Sequence, residues 1–422
     1  MTRPTARAAA VLVLLAGAAV RLAAQSYRPF QEEYDAIAAR TKLRLGPLRF
    51  EPVLRLYDVG YDSNIYFSGD RGEAVEDVTA TLSPELRAHW LAGPSLILSA
   101  TENPEYIAYA RESALRTFSN SFSAGLRWLA LRRFSLSAEY HDLSHVRRVL
   151  SELDHRIRDT AKGATASLFF ETPRGTAIGF SGGVDDFRYE DVASGVPDES
   201  YGQALDRRET TAAFEASYRV FSQSRLFAAV AATRYDFAYA GSAWRDASSI
   251  EASGGLRFPL AGSARGTVRF GWKAFRPDDA LRKPFSGLVA ATAVSFRLGR
   301  IAVNIGLDRD NNFSYVESAY YYVDTRARAG LSFYLFRVLR LDAGVDYGTM
   351  LYPEPQEVWV DGVPVVVDDR EDVQMNISFG PVVRIFRTAG FGLTYNFYKR
   401  TSNAPGFDVR RDFVGAFVTY EF

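Results

Sequence analysis

Cysteine is absent from this 422-residue chain. That excludes a disulfide framework, a thiolate zinc site and a cysteine nucleophile. An excess of either charge is absent too, since 50 Lys and Arg balance 50 Asp and Glu. A nucleic-acid binder should carry a basic surplus, and a disordered acidic chain an acidic one. After residue 24 no stretch approaches the roughly 20 apolar residues that a membrane helix requires. What is abundant is aromatic: 23 Tyr and 30 Phe, with 32 Gly. Many aromatics and glycines without long helical runs point to strands.

The first 24 residues have the pattern of a secretory signal peptide. Arg3 and Arg7 form a basic start, Ala8 to Val20 an apolar run, and Leu22-Ala23-Ala24 a cleavage site before Gln25. The expected organisation is a signal peptide at 1–24, a periplasmic segment at 25–46 and one β-domain at 47–422. In the second of these, Phe30, Tyr34, Ile37 and Ala38 fall on one side of a short helix over Gln31–Lys42, expected near the barrel mouth. An exported chain without a membrane helix enters a membrane only through strands.

From Leu48 onward apolar and polar residues alternate. In Val78–Trp90 every even position is apolar and every odd one polar or charged. The pattern returns at 118–128, 209–220 and 373–385, as one oily and one wet face require. Short connections, near 92–94, 131–133, 172–175, 222–224, 260–264, 298–300, 336–338 and 387–390, alternate with longer polar ones. Eight short and nine long connections give 18 strands, with both termini on the periplasmic side. This all-β pattern predicts a transmembrane antiparallel outer-membrane β-barrel with short periplasmic turns and longer external loops. Aromatics near the short turns (Trp90, Trp128, Phe134, Phe170, Phe227, Phe258, Phe296) and toward the loops (Tyr106, Tyr140, Tyr235, Tyr239, Tyr320, Tyr347, Tyr395) read as two interfacial girdles. The chain ends on an alternating strand whose last apolar positions, Val418, Tyr420 and Phe422, resemble an outer-membrane assembly signal.

Lipid offers no partner to backbone groups, so a sheet in the membrane must close on itself. At 16–18 strands side chains no longer fill the interior, so a polar lumen is expected. The inward positions carry Arg49, Arg55, Arg87, Arg127, Arg219, Arg257, Arg269, Arg326, Arg328, Arg340 and Arg384. Glu51, Glu85 and Glu251 share that face, as do Lys273, Glu215, Asp308, Asp324, Asp342 and Asp346. One reading is a ladder of salt bridges that stiffens the wall; the other is an arginine-lined path for an anionic solute. Asp361-Gly362 between β-branched runs signals a hairpin flap in the insert at 352–370.

Phe50-Glu51-Pro52-Val53-Leu54, then Val59-Gly60-Tyr61-Asp62-Ser63-Asn64-Ile65-Tyr66 and Val78–Leu86 with its Ser83-Pro84-Glu85-Leu86 element, resemble the opening of the type 2 family of outer-membrane beta-barrel porins. The resemblance implies a barrel without catalytic residues or cofactor. It implies a porin, or, as in some members, a conduit for exopolysaccharide secretion. The expected surroundings are outer-membrane lipids and lipopolysaccharide in a Gram-negative-type bacterium, the barrel-assembly machinery and, for an exporter, periplasmic polysaccharide-export proteins. Asp62 and Asn64 are expected to order the first external loop.

Enzyme motifs are weak. Gly179-Phe180-Ser181-Gly182-Gly183 fits a nucleophile-elbow pattern but lies inside an expected strand, where that motif has no meaning. His141 and His145 share a strand face about 13 Å apart, too far for one metal. His145 and His155, with Asp142 and Asp154, flank one external loop. Asp308, Asp310 and Asn312 begin a calcium-loop spacing that Phe313 breaks. Asp368, Asp369, Glu371 and Asp372 form an acidic external cluster suited to divalent bridges to lipopolysaccharide. A channel for polar solutes, a polysaccharide export conduit and a structural or adhesive surface barrel with a closed lumen all remain open at this stage.

Overall fold

A computed structural model describes residues 27–422 except 71, 148–155, 193–201, 222–223, 260–262, 316–318, 337, 361–362 and 387. The expected signal peptide, and His155 and Asp154, lie outside the described residues.

Alternation becomes a barrel of 18 antiparallel strands. In chain order they are β1 Leu48–Asp62, β2 Asp77–Ala92, β3 Leu96–Tyr109, β4 Thr117–Ala130, β5 Phe134–Arg147, β6 Arg156–Glu171, β7 Thr176–Val192, β8 Arg207–Phe221 and β9 Ser224–Phe237. There follow β10 Ala247–Phe258, β11 Ala264–Pro277, β12 Phe285–Leu298, β13 Ile301–Phe313, β14 Tyr321–Leu335, β15 Leu339–Leu351, β16 Glu371–Arg384, β17 Ala389–Ser402 and β18 Val409–Glu421. Each pairs with its neighbours, and β1 pairs with β18 from Val53↔Glu421 to Asp62↔Phe413. That last pairing removes both sheet edges. A three-residue strand, Leu43–Leu45, adds to the start of β1. Gln356–Val360 and Val363–Val367 form the separate hairpin of the 352–370 insert; the Asp361-Gly362 turn itself lies outside the described residues.

The wet and oily faces are where alternation puts them. Val78, Leu82, Leu86 and Trp90 are exposed on the lipid side of β2, while Thr79, Thr81, Ser83 and Glu85 are buried on the lumen side. The phase slips within β1, and the β8–β9 register shifts again beside the turn at Ser224/Arg225. Asp58 has φ 52°, and the register shifts there against both β2 and β18. Outward positions change from Leu54 and Leu56 to Val59 and Tyr61, as one extra residue in a bulge demands.

Three girdle assignments are corrected. Phe227 and Tyr235 are buried on the lumen side of β9, opposite in phase to the exposed Leu226 and Val230. Tyr320 is fully buried within its loop. The other girdle residues on strands keep the lipid-side phase: Trp90, Trp128, Phe134, Phe170, Tyr106, Tyr140 and Tyr347 are all exposed.

Candidate functional site

The site is the lumen and its two mouths. At the periplasmic mouth, residues 27–42 lie across the barrel as a strap. Its helix, Phe30–Arg40, carries Glu32 and Glu33 in the first turn and Arg40 in the last, the order the helix dipole favours. Phe30 and Ile37, buried, pack with Tyr34 and Ala38 on Leu91, Ile97 and Leu129 of β2–β4. The helix extends for about 16 Å, and each end is fixed to a different part of the wall.

Tyr27 anchors the first end. Its ring packs on Phe169 and Ala177, its hydroxyl donates to Glu171 at 2.5 Å, its N–H to Glu215 at 3.2 Å, and its carbonyl accepts from Arg257 at 2.6 Å. Burial and the nearby Glu171 carboxylate push its phenol well above the ordinary tyrosine range. Arg225 binds Glu171 at 2.5 Å and stands over the Tyr27 ring. Arg127 of β4 pairs with Glu33 and donates to the Arg28 carbonyl at 2.8 Å. At the far end Arg40 and Thr41 meet Glu51 of β1 at 2.6 and 3.0 Å, and Arg40 reaches His89 at 3.4 Å. Arg127, Arg257 and Glu51 therefore hold the strap. The helix was legible in the sequence; its clamping residues Glu215, Glu171 and Arg225 carried no local signal.

The external mouth is narrowed differently. β12 and β13 stop pairing at Ala290↔Arg309, yet β13 and β14 stay paired up to Phe313↔Tyr321. The end of that hairpin leaves the wall and turns inward. Tyr321 and Val323, on the outward phase of β14, are buried against Phe275 and Phe285, on the inward phase of β11 and β12. Phe313 makes edge contacts with Tyr235, Phe237, Phe275 and Tyr320, and Tyr315 reaches Tyr189 of β7 at 5.7 Å. Buried Arg245 donates to the Ser314 carbonyl at 2.8 Å, and Tyr320 donates to the Arg245 carbonyl at 2.8 Å. Such edge-to-face rings pack well beyond their area alone.

Between the mouths the lumen-side charges pair along and across the strands. Arg55 and Arg87 flank Glu85 at 2.6 and 2.5 Å, and Arg269 meets Glu251 at 3.2 Å. Lys273 lies opposite Glu251 in register but bonds Asp310 at 3.0 Å. Arg328 bridges Asp308 and Asp346, Arg326 reaches Asp346 and Gln374, and Arg340 pairs with Asp342. Arg49 turns back to the Gly46 and Leu48 carbonyls. Arg219 lies exposed against the Gly175 turn, and Arg384 is exposed at the periplasmic end of β16.

The remaining residues singled out in the sequence fall as follows. Asp62 takes both nitrogens of Arg411 at 2.7 and 2.6 Å, and Asn64 closes a turn with Ser68. Ser181 lies inside β7 and not at a strand-to-helix turn. His141 meets Asp185 at 2.9 Å and His145 meets Ser121 at 2.9 Å. Asp308, Asp310 and Asn312 lie along an extended strand. In the external acidic cluster Asp372 is fully buried on Arg370. Phe422 donates its N–H to the Pro52 carbonyl at 3.3 Å and meets Tyr420 edge-on at 4.6 Å. Val418 pairs with Leu56 and Phe391 on the lipid side.

A closed 18-strand barrel with an apolar belt and a charged lumen defines the class: a porin-like protein of the outer membrane. The chain belongs to the family described as "Putative beta-barrel porin 2", whose pattern matches residues 43–422. No curated protein matches it in sequence. Among solved structures it is similar to the outer membrane protein opdK from Pseudomonas aeruginosa, at 12% identity and a TM-score of 0.47, over 90% of this chain and 100% of that one. It is also similar to the siderophore receptor PirA from the same organism, at 9% identity and a TM-score of 0.45, over 90% and 81%. Against the alcaligin receptor FauA from Bordetella pertussis the values are 11% and 0.40, over 86% of this chain and 63% of that one. These are likenesses of architecture.

Proposed function

We propose that this protein is a gated outer-membrane channel, shut at its periplasmic mouth by its own strap, which conducts a polar solute or an exported polysaccharide once a periplasmic partner displaces that strap. The observation that carries the reading is how the strap is held. Its apolar face rests on Leu91, Ile97 and Leu129, but both ends are fixed by charged and hydrogen-bonded groups of the lumen wall, and a competitor can replace such groups one by one. The paired lumen charges favour neutral or mixed-charge cargo, because neighbouring opposite charges cancel the field seen by a passing group.

The test is conductance in a planar bilayer. Intact protein should pass little current, and deletion of residues 27–42 should open ohmic channels of weak ion selectivity. A deleted form that assembles normally and stays silent supports the structural surface-protein reading instead. Opening of the intact protein on adding periplasmic extract, lost when polysaccharide-export genes are removed from the source strain, would separate the exporter from a diffusion porin.

A further inference from the structure

The eight periplasmic turns contain six arginines and no Asp or Glu, whereas the nine external loops hold nineteen acidic and eight basic residues. Several of the arginines sit beside a large apolar residue that points away from the protein. Leu131 precedes Arg132 and Arg133, Leu298 precedes Gly299-Arg300, and Phe336 precedes Arg337, which lies outside the described residues. Leu131, Phe336 and Leu298 are 84%, 80% and 69% exposed.

Two of these turns keep such residues under strain. In the turn closed by Arg133 N–H on the Ala130 carbonyl, Leu131 and Arg132 both have positive φ, 49° and 59°. Phe336 has φ 46°. Asn-Gly fills such positions without penalty, and a bulky side chain there is uncommon. Strain kept at an exposed tip calls for something that the side chains do.

Depth indicates what they meet. Trp128 and Phe134 face lipid on either side of the turn and mark the edge of the hydrocarbon. Leu131 lies three residues beyond Trp128, about 8 Å along a tilted strand. The headgroup layer is roughly 5–8 Å thick on each side of the hydrocarbon, so the tips end at the phosphates. Their distribution indicates the same. The apolar–arginine tips recur between β4 and β5, β12 and β13, and β14 and β15, around much of the circumference. A lipid annulus surrounds a barrel in that way; a single docked protein covers one sector.

We propose that the periplasmic turn tips form a phospholipid-anchoring ring, in which Arg132, Arg133 and Arg300 bind anionic headgroup phosphates of the inner leaflet while Leu131, Leu298 and Phe336 pack among the headgroup and glycerol carbons. This is independent of whether the channel opens.

The test counts retained lipid by native mass spectrometry on full-length protein titrated with phosphatidylglycerol or phosphatidylcholine in detergent. Wild type should hold phosphatidylglycerol at least tenfold more tightly. Arg132→Gln/Arg133→Gln/Arg300→Gln should lose that preference, on the order of fivefold per arginine, while the external pair Arg111→Gln/Arg116→Gln keeps it. Leu131→Asn/Arg132→Gly relieves the turn, so it should resist urea in detergent at least as well as wild type and yet retain less lipid. Undiminished phosphatidylglycerol retention in both periplasmic variants overturns the proposal. A photocrosslinking residue in place of Leu131 should capture phospholipid in cells; a stoichiometric protein adduct there overturns it in favour of a docked partner.

Discussion

Two arcs of the lumen wall use the same alternating pattern and reach different ends. On β6–β10 the inward side chains are sealed: Glu215 and Arg257 are 4% and 5% exposed, Phe227 is buried beneath the Arg257 guanidinium, and Tyr235 and Thr211 are buried further along the same arc. On β13–β16 they stay wet: Asp308 is 46% exposed, Arg328 31% and Asp346 24%. Both arcs pair their charges. In the sealed arc pairing is obligatory, because a buried ion without its partner carries the full desolvation cost. In the wet arc water shares the task, and an ion pair contributes little to stability. If the proposed channel opens, its passage would run off-centre, along the Asp308–Arg328–Asp346–Arg326 ladder. The two readings of the lumen charges, a stiffening ladder and a lined path, fit different arcs of the wall: the sealed one the first, the wet one the second.

The contrast is sharpest if each arc loses one acid. Glu215→Gln should strip Arg257 of its counter-charge, loosen Tyr27 and cost about 3–5 kcal/mol. Asp346→Asn should cost about 1 kcal/mol or less. Urea midpoints in vesicles decide, and equal losses would abolish the distinction between the arcs. A smaller effect compares faces. Ala216→Arg puts a cation on the lipid side of β8 and should cost about 2–4 kcal/mol near the midplane. Ala293→Arg, on the exposed lumen side of β12, should fold normally and lower the conductance of strap-deleted protein. Smaller again is selectivity: Asp342→Asn with Asp346→Asn should move the reversal potential of that open form toward anions, while Glu215→Gln, in the sealed arc, should leave it in place.

The smallest effect is a pH dependence outside the membrane. Asp206, in the loop before β8, has its carboxyl raised by burial although the Tyr189 N–H and Arg188 pull the other way. The folded protein then binds that proton more tightly than the unfolded chain. Its contribution to stability is present at low pH and is lost as pH rises from the ordinary carboxylate range through the folded value. Asp206→Asn should flatten that slope in urea titrations run across acidic pH.

Most of the barrel was legible because lipid enforces it: one face must be oily, so period two, turn length and strand number all appear in the residues. The strap helix was legible from Phe30, Tyr34, Ile37 and Ala38. The inward fold of the β13–β14 hairpin was not. Alternation states only that successive side chains point to opposite faces. Phe313, Tyr321 and Val323 keep the outward phase, and nothing in the period shows that above Arg309 the outward face meets other aromatics in place of lipid. Tyr235 and Phe227 misled for the matching reason: an aromatic near a strand end fits a girdle until its parity is compared with Leu226 and Val230. The bulge at Asp58 did leave a trace, the change of oily positions from even at Leu56 to odd at Val59. The long-range clamp on Tyr27 left none, because Glu171, Glu215 and Arg257 converge only after four hairpins have formed.

The strap joins the barrel through the three-residue strand Leu43–Leu45, where Arg44 lies directly opposite Arg49. Like charges facing one another make this a weak zipper. Once the wall contacts are released, it parts before any barrel strand does. The sixteen residues from Tyr27 to Lys42 can then extend to roughly 55 Å. On the gated reading proposed above, the segment that closes the mouth at rest would become, when open, a fishing line cast into the periplasm. Its capture radius would exceed anything the rigid rim can offer, and because it stays tied to the first strand, whatever it caught would be brought to the entrance.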